Sequence, residues 1–361
     1  MGVRPEGGYR IIITGNRRHQ HPFRGETVET LSRKYTLFNV PVGPGVMRPV
    51  TLLVMLLSVS RPAKEVVLAV GSNGQVFQQT FISLQSELSD DFEVKKYCIT
   101  QNGTVGDFRK VMQAVQPRLA VLIDNKSIYL YRNYQQSLPR DERIVPSVAI
   151  MGIMLEEVIG CLKNACGISY EIPIVTGVVN FRAVSSRSLK KVGVVHREYL
   201  RGFIERNAVF CKREGIRLVT VALPNKTDSY NPFIKKALRQ LADEKIEAIW
   251  VPNDNALLQS DIIRKEWIPF VKKMRIPVIV GIEALANPEL DFGTFAVLPD
   301  HEALGKQTAE MVYDVMDNNW RCEEHRVDPP LAIYKIINLR QATKLFKIKD
   351  AQLDGVDKKW K

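Results

Sequence analysis

Ile246-Glu247-Ala248-Ile249-Trp250-Val251-Pro252-Asn253-Asp254-Asn255-Ala256 is an apolar run of strand character that stops at three small polar residues before a helix start. In an open α/β sheet, the ligand sits where such strands end. The same grammar recurs at Val66 to Val70, Leu119 to Ile123, Val148 to Gly152, Val192 to Val195 and Pro277 to Gly281. The runs repeatedly stop at Gly, Ser, Asn or Asp, and they are apolar throughout rather than alternating. A parallel sheet covered on both faces requires that pattern. The fold class is therefore α/β.

Between the runs lie helical periodicities: Val76 to Leu88, Thr104 to Val115 with Thr104 as cap, Glu156 to Asn164, Gly202 to Arg213, Asn231 to Asp243 and Ala256 to Lys273. Further strands are expected at Phe92 to Ile99, at Ile174 to Val179, the first passage between two units, and at Ile216 to Val221. Two α/β units in series, doubly wound parallel-sheet lobes, suit a chain of 361 residues with 45% apolar residues.

The net charge of +12 raises the question of nucleic acid, but its distribution answers it. Residues 1–61 carry nine Lys/Arg against three Asp/Glu, so half the excess sits in a sixth of the chain. The remainder is mildly basic, without a recognition-helix or aromatic RNA-platform pattern, so no nucleic-acid partner is expected.

The amino-terminal segment has its own logic. Residues 1–46 lack sustained periodicity and are read as an upstream extension or an irregular tail. Met47-Arg48-Pro49 then leads into an apolar stretch ending near Ser58 and Ser60, the layout of a secretory signal peptide over 47–60. That stretch is too short for a membrane anchor. A periplasmic or secreted location follows as the expectation.

Catalytic signatures are not found. There is no G-x-x-x-x-G-K-[ST] and no G-x-S-x-G, and Gly71-Ser72-Asn73-Gly74 lacks dinucleotide spacing. The five cysteines form no CxxC, and Cys161 and Cys166 could pair only if a helix ends between them; the five histidines form no ligand spacing. No enzyme activity, cofactor or metal is expected. Ligand binding remains.

Residues 292–311, Phe292-Gly293-Thr294-Phe295-Ala296-Val297-Leu298-Pro299-Asp300-His301-Glu302-Ala303-Leu304-Gly305-Lys306-Gln307-Thr308-Ala309-Glu310-Met311, resemble a segment of the ABC-transporter substrate-binding proteins of the tryptophan/tyrosine-binding type. Ile336-Ile337-Asn338-Leu339-Arg340-Gln341-Ala342-Thr343-Lys344-Leu345 is similar to that family's closing segment. After the fourth strand the chain departs from the family, with Gly152-Ile153-Met154 in place of an aspartate-proline pair. The resemblance implies a type I periplasmic-binding fold whose lobes are joined by three crossings. It places lobe one at 64–178 plus 292–326 and lobe two at 179–291 plus 327–361. It further implies a small-molecule ligand, an amino acid or aromatic compound, delivered by a monomer to an ABC permease. The alternative is a ligand-binding sensor of a membrane receptor, while a cytoplasmic regulator lacks its helix-turn-helix before residue 64.

The cleft wall is expected from the strand ends. Ser72 and Asn73, with helix amides behind them, suit an anion. Asp124 and Asn125 suit an amine or hydroxyl, and Gly152 ends the fourth strand. Across the cleft stand Arg197 and Tyr199, then Asn253, Asp254 and Asn255, then Glu283. In the family an aspartate matching Asp254 lies at the ligand, so Asp254 is expected as an exposed carboxylate aimed at an ammonium group. The same residue types equally suit caps of the following helices. Trp250 and Trp267 read as core.

Overall fold

The computed structural model describes residues 63–324 and 326–361. The expected signal peptide and the extension before it lie outside the described residues. Two sheets organise the rest. The first has six strands in the order β11-β5-β4-β3-β1-β2, built from β1 (Glu65–Gly71), β2 (Phe92–Cys98), β3 (Leu119–Ile123), β4 (Ser147–Ile150), β5 (Ala165–Ile168) and β11 (Val327–Asp328). Every pairing in it is parallel.

The second sheet has seven strands in the order β13-β12-β10-β9-β8-β6-β7. It consists of β6 (Lys191–Arg197), β7 (Arg217–Leu223), β8 (Ala248–Val251), β9 (Val278–Val280), β10 (Phe295–Pro299), β12 (Ile333–Asn338) and β13 (Lys358–Trp360). Only the β10–β12 pairing is antiparallel. The apolar runs are central strands, as their composition requires. Val67, Ala69 and Val121 pack on one face of the first sheet and Leu68, Val70 and Leu122 on the other, all sealed from solvent.

Helices cover both faces of each sheet. Val105–Val115 begins with a capping box in which the Thr104 side chain accepts from Asp107 N and the Asp107 side chain accepts from Thr104 N. His301–Asp317 lies against Gln75–Leu88, where Ser83 Oγ donates to Glu302 O at 2.7 Å. That approach needs Gly305, since a Cβ there would come within 2.5 Å of the Thr80 carbonyl.

Several elements differ from the sequence expectation. Ile174–Ser185 is a helix, not a strand: Ile174, Gly177, Val178 and Phe181 are buried at helical spacing, and Pro173 stands at its start. It packs on β9 and β10, so residues 174–178 belong with the second sheet. Strand β5 follows only two short helical turns, Leu155–Val158 and Ile159–Cys161, where one longer helix was expected. The helix Asn125–Gln136 is absent from the sequence expectation, because its buried face mixes Ser127 and Gln135 with Ile128, Leu130, Tyr131 and Tyr134 and so leaves no plain apolar stripe. After β8 the chain makes a turn at 255–257, and the helix expected from Ala256 starts at Ser260. Strand β10, expected in lobe one, is in the second sheet, and β11, expected in lobe two, pairs with β5.

The chain therefore passes between the sheets three times: after β5, after β10 and after β11. All three passages leave from the carboxyl end of a strand. Those ends consequently face the junction between the lobes, which is where a doubly wound sheet binds its ligand.

Candidate ligand cleft

In lobe one, β1 and β3 are neighbours, which places Ser72 beside Asp124. Ser72 N donates to Asp124 Oδ2 at 2.9 Å, and Ser72 Oγ donates to the same oxygen. Asp124 Oδ1 accepts from Ser127 N at 2.8 Å and so caps the helix Asn125–Gln136. Its φ of 115° is a conformation that a residue with a Cβ rarely adopts. Every donor to this carboxylate is neutral. Neighbouring Lys126 turns away, donating to Thr100 O and Gln101 O. The Asp124 carboxylate thus has an unused lone-pair position at the strand end.

The adjoining wall is built from the β4 end. Asn125 Oδ1 accepts from Ile153 N at 2.8 Å. Gly152 is buried beneath this bond, where a Cβ would meet Ile128 Cδ1 at 2.6 Å. Met151 and Met154 on either side are left-handed, with φ of 56° and 57°. Asn73 accepts from the Gln78 side chain, and the helix Gln75–Leu88 has Gly74 as its N-cap, so neither Ser72 nor Asn73 caps it. The first amides of that helix carry no side-chain cap.

Lobe two presents a different carboxylate. Asp254 is 1% exposed, which overturns its reading as an open cleft charge. Arg197 reaches it from the β6 end as a planar fork, with Nε to Oδ2 and Nη2 to Oδ1 both at 2.7 Å. Ala256 N donates to Oδ1 at 3.0 Å. The guanidinium lies over the Tyr199 ring at 4.6 Å and donates to Asn225 O at 3.0 Å. The Asp254 carboxylate raises the Arg197 pKa further, and burial raises that of Tyr199. Carboxylate and guanidinium are paired at this wall.

Asn253 lines a cavity of about 30 Å³ together with Met154, Glu171, Phe203, Trp250 and Gly281. Its Oδ1 is buried without a hydrogen-bond partner, so this small space offers an open acceptor. Asn255 is exposed on the following turn. Glu283 accepts from Lys358 Nζ at 2.6 Å.

The passages between the lobes hold residues that the sequence reading did not single out. Tyr170 Oη and His301 Nε2 are 3.0 Å apart, joining the first passage to the second. Burial pushes the tyrosine up to about 12 and holds the histidine below its usual value. Asp300 N donates to Ala332 O, and Gln307 holds Pro329 O and Leu331 N, joining the second passage to the third. Glu171 accepts from Met154 N at 2.7 Å, and burial raises its carboxyl to about 7. The available signal was Ser169-Tyr170-Glu171-Ile172-Pro173, a polar strand end just before a helix-starting proline. Beyond the passages, Arg206 bridges to Glu156 at 2.9 Å, an exposed ion pair between lobe two and lobe one.

No protein-family model matches the chain, and neither does any curated protein. Solved structures are similar to it. A substrate-binding protein with adhesive properties from Clostridium difficile, in its ligand-free, open form, has a TM-score of 0.61 at 13% identity, covering 83% of this chain and 100% of its own. The ABC domain in complex with L-Trp from Streptococcus pneumonia has a TM-score of 0.50 at 16% identity, covering 82% and 100%. A conserved domain protein from Vibrio cholerae has a TM-score of 0.51 at 17% identity, covering 82% and 99%. The fold is that of the type I periplasmic-binding proteins: two α/β lobes joined by three passages. Among the described residues no helix is long and apolar enough to cross a membrane.

Proposed function

We propose that the chain is a solute-binding protein that captures a small amine-bearing molecule, of the amino-acid class, between its lobes and hands it to an ABC permease. The observation that carries this reading is the asymmetry of the two walls. The Asp124 carboxylate meets only neutral donors, while that of Asp254 is already paired with the Arg197 guanidinium. An ammonium group is therefore drawn to the lobe-one wall, and the uncapped amides of the helix Gln75–Leu88 beside it suit the ligand's carboxylate. The Arg197 and Tyr199 surface offers a flat partner for an aromatic or apolar side chain.

The passages support closure as the working motion. They are few, short and hydrogen-bonded to one another, so bending there lets each lobe move as a unit. Glu156, Glu157 and Arg206 add exposed charges that engage across the gap. The fold of solute-binding proteins fits this use, and export through the 47–60 segment would bring the protein to its permease.

A thermal-shift screen of the full chain against amino acids, aromatic acids, nucleosides and small sugars tests the reading, because a ligand of the folded state raises the midpoint by mass action. Stabilisation by an amino acid, lost in Asp124→Asn, is expected. Stabilisation by sugars alone would overturn the ligand class. No stabilisation across the panel would overturn solute capture.

A further inference from the structure

Cys166 and Cys322 stand 156 residues apart in the chain, yet their sulfurs lie 3.1 Å from each other. Neither is in a disulfide here. Cys166 is on β5, and Cys322 is on the segment that follows the helix His301–Asp317.

That closeness is held by the backbone on both sides. Asn164 Nδ2 donates to Trp320 O at 3.2 Å, and Asn164 Oδ1 accepts from Cys322 N at 2.8 Å. Further along, Gly167 N donates to Arg326 O and Ser169 N to Asp328 O, both at 2.9 Å, as β11 joins β5. Asn164 itself is left-handed, with φ of 51°. The two cysteines are thus fixed between clamps, and joining them requires little backbone movement. No other pair of the five cysteines is brought within bonding reach among the described contacts. Cys211 is sealed in the lobe-two core, and Cys161 is exposed at the end of the turn Ile159–Cys161 whereas Cys166 is buried on β5.

We propose that Cys166 and Cys322 are a disulfide-forming pair that locks β5 to the segment leading into the third passage once the protein meets a thiol–disulfide oxidant. Access sets the order of events. Cys166 is 1% exposed, whereas Cys322 is partly open, so an oxidant RSSR reaches Cys322. The Cys166 thiol donates toward the Cys322 sulfur, which raises the Cys166 pKa and lowers that of Cys322. The Cys322 thiolate attacks one sulfur of RSSR, forming a mixed disulfide and releasing RS⁻. Cys166 then gives up its proton to solvent and attacks Cys322 Sγ, expelling the second RS⁻. Two protein thiols lose two electrons and two protons, and RSSR becomes two RSH. The bond closes a loop that holds β6 to β10, most of the lobe-two sheet, so it stabilises the fold by restricting the unfolded chain.

The test uses the purified, reduced full chain treated with oxidised glutathione in mildly alkaline buffer. The expected product is lighter by about 2 Da with no glutathione adduct, and peptide mapping joins the Cys166 and Cys322 peptides. Its melting temperature rises by about 5–10 °C and returns with reductant. Cys322→Ser shows neither the mass loss nor the rise. Should that variant not fold, the map of the wild-type chain alone decides. Five alkylatable thiols after oxidation, a stable glutathione adduct on Cys322, or a link from Cys161 to Cys166 would each overturn the pair. No ligand enters this experiment, so its failure would leave solute capture untouched.

Discussion

Asp124 and Asp254 look alike in the sequence: each follows an apolar strand, sits beside an asparagine and precedes a turn or helix. Their surroundings differ entirely. Asp124 receives Ser72 N, Ser72 Oγ and Ser127 N, all neutral, whereas Asp254 is gripped by the Arg197 fork and withdrawn from solvent. Strand-end position is therefore shared by the two, but the partner delivered by the neighbouring strand determines whether a carboxylate is paired with a cation or left with neutral donors.

Removing the Asp254 side chain should have the largest effect. Asp254→Ala strands the Arg197 guanidinium, whose side chain is 21% exposed, and should cost about 3 kcal/mol in denaturant unfolding. The double variant Arg197→Met with Asp254→Leu should recover most of that loss, since an apolar pair of similar size needs no charge partner. A single variant as stable as the wild type would mean that the pair does not hold the β6 and β8 ends together.

Glu171 extends the comparison to a carboxylate with no cation at all. Its folded pKa of about 7 lies above its ordinary value, so the folded state keeps a proton that the unfolded chain has released. The associated stability is complete below pH about 4.5 and is lost as pH rises through 7. Glu171→Gln should accordingly raise stability by about 2 kcal/mol at pH 8 and leave it little changed at pH 4.5. A variant with the same pH slope as the wild type between 5 and 8 would remove Glu171 as its source.

Asp124→Asn sharpens the other side of the contrast. One oxygen still accepts from the Ser127 amide, so unfolding should move by about 1 kcal/mol, while affinity for an amine-bearing ligand should fall at least about tenfold. Unchanged affinity, measured by titration calorimetry, would take Asp124 out of the ligand site. The smallest effect is expected at Thr104→Ala, which removes the capping box far from the cleft and should cost about 1 kcal/mol without touching affinity.

Much of the fold was legible because central parallel strands leave a plain trace: Leu119 to Ile123 can only be apolar when both faces are covered. Thr104 announced its helix by local chemistry alone. Ala165–Ile168 did not, since four residues containing Cys and Gly carry no periodicity, and Ile174-Val175-Thr176 imitated a strand until burial at Gly177, Val178 and Phe181 gave it a helical face. In the cleft, the sequence reading located Ser72, Asp124, Asn125, Tyr199, Asn253 and Asp254 at strand ends. It could not foresee that Arg197 would claim Asp254 across 57 residues, because that pairing depends on β6 and β8 being neighbours. Tyr170 and His301 were hidden for the same reason, being partners 131 residues apart.

Native mass spectrometry of the full chain, incubated with a mixture of amino acids, aromatic acids, nucleosides and small sugars, tests the central claim most directly. The account predicts a one-to-one adduct with an amino acid that weakens in Asp124→Asn and survives in Thr104→Ala. Only the unliganded mass, at every ligand concentration tried, would contradict it.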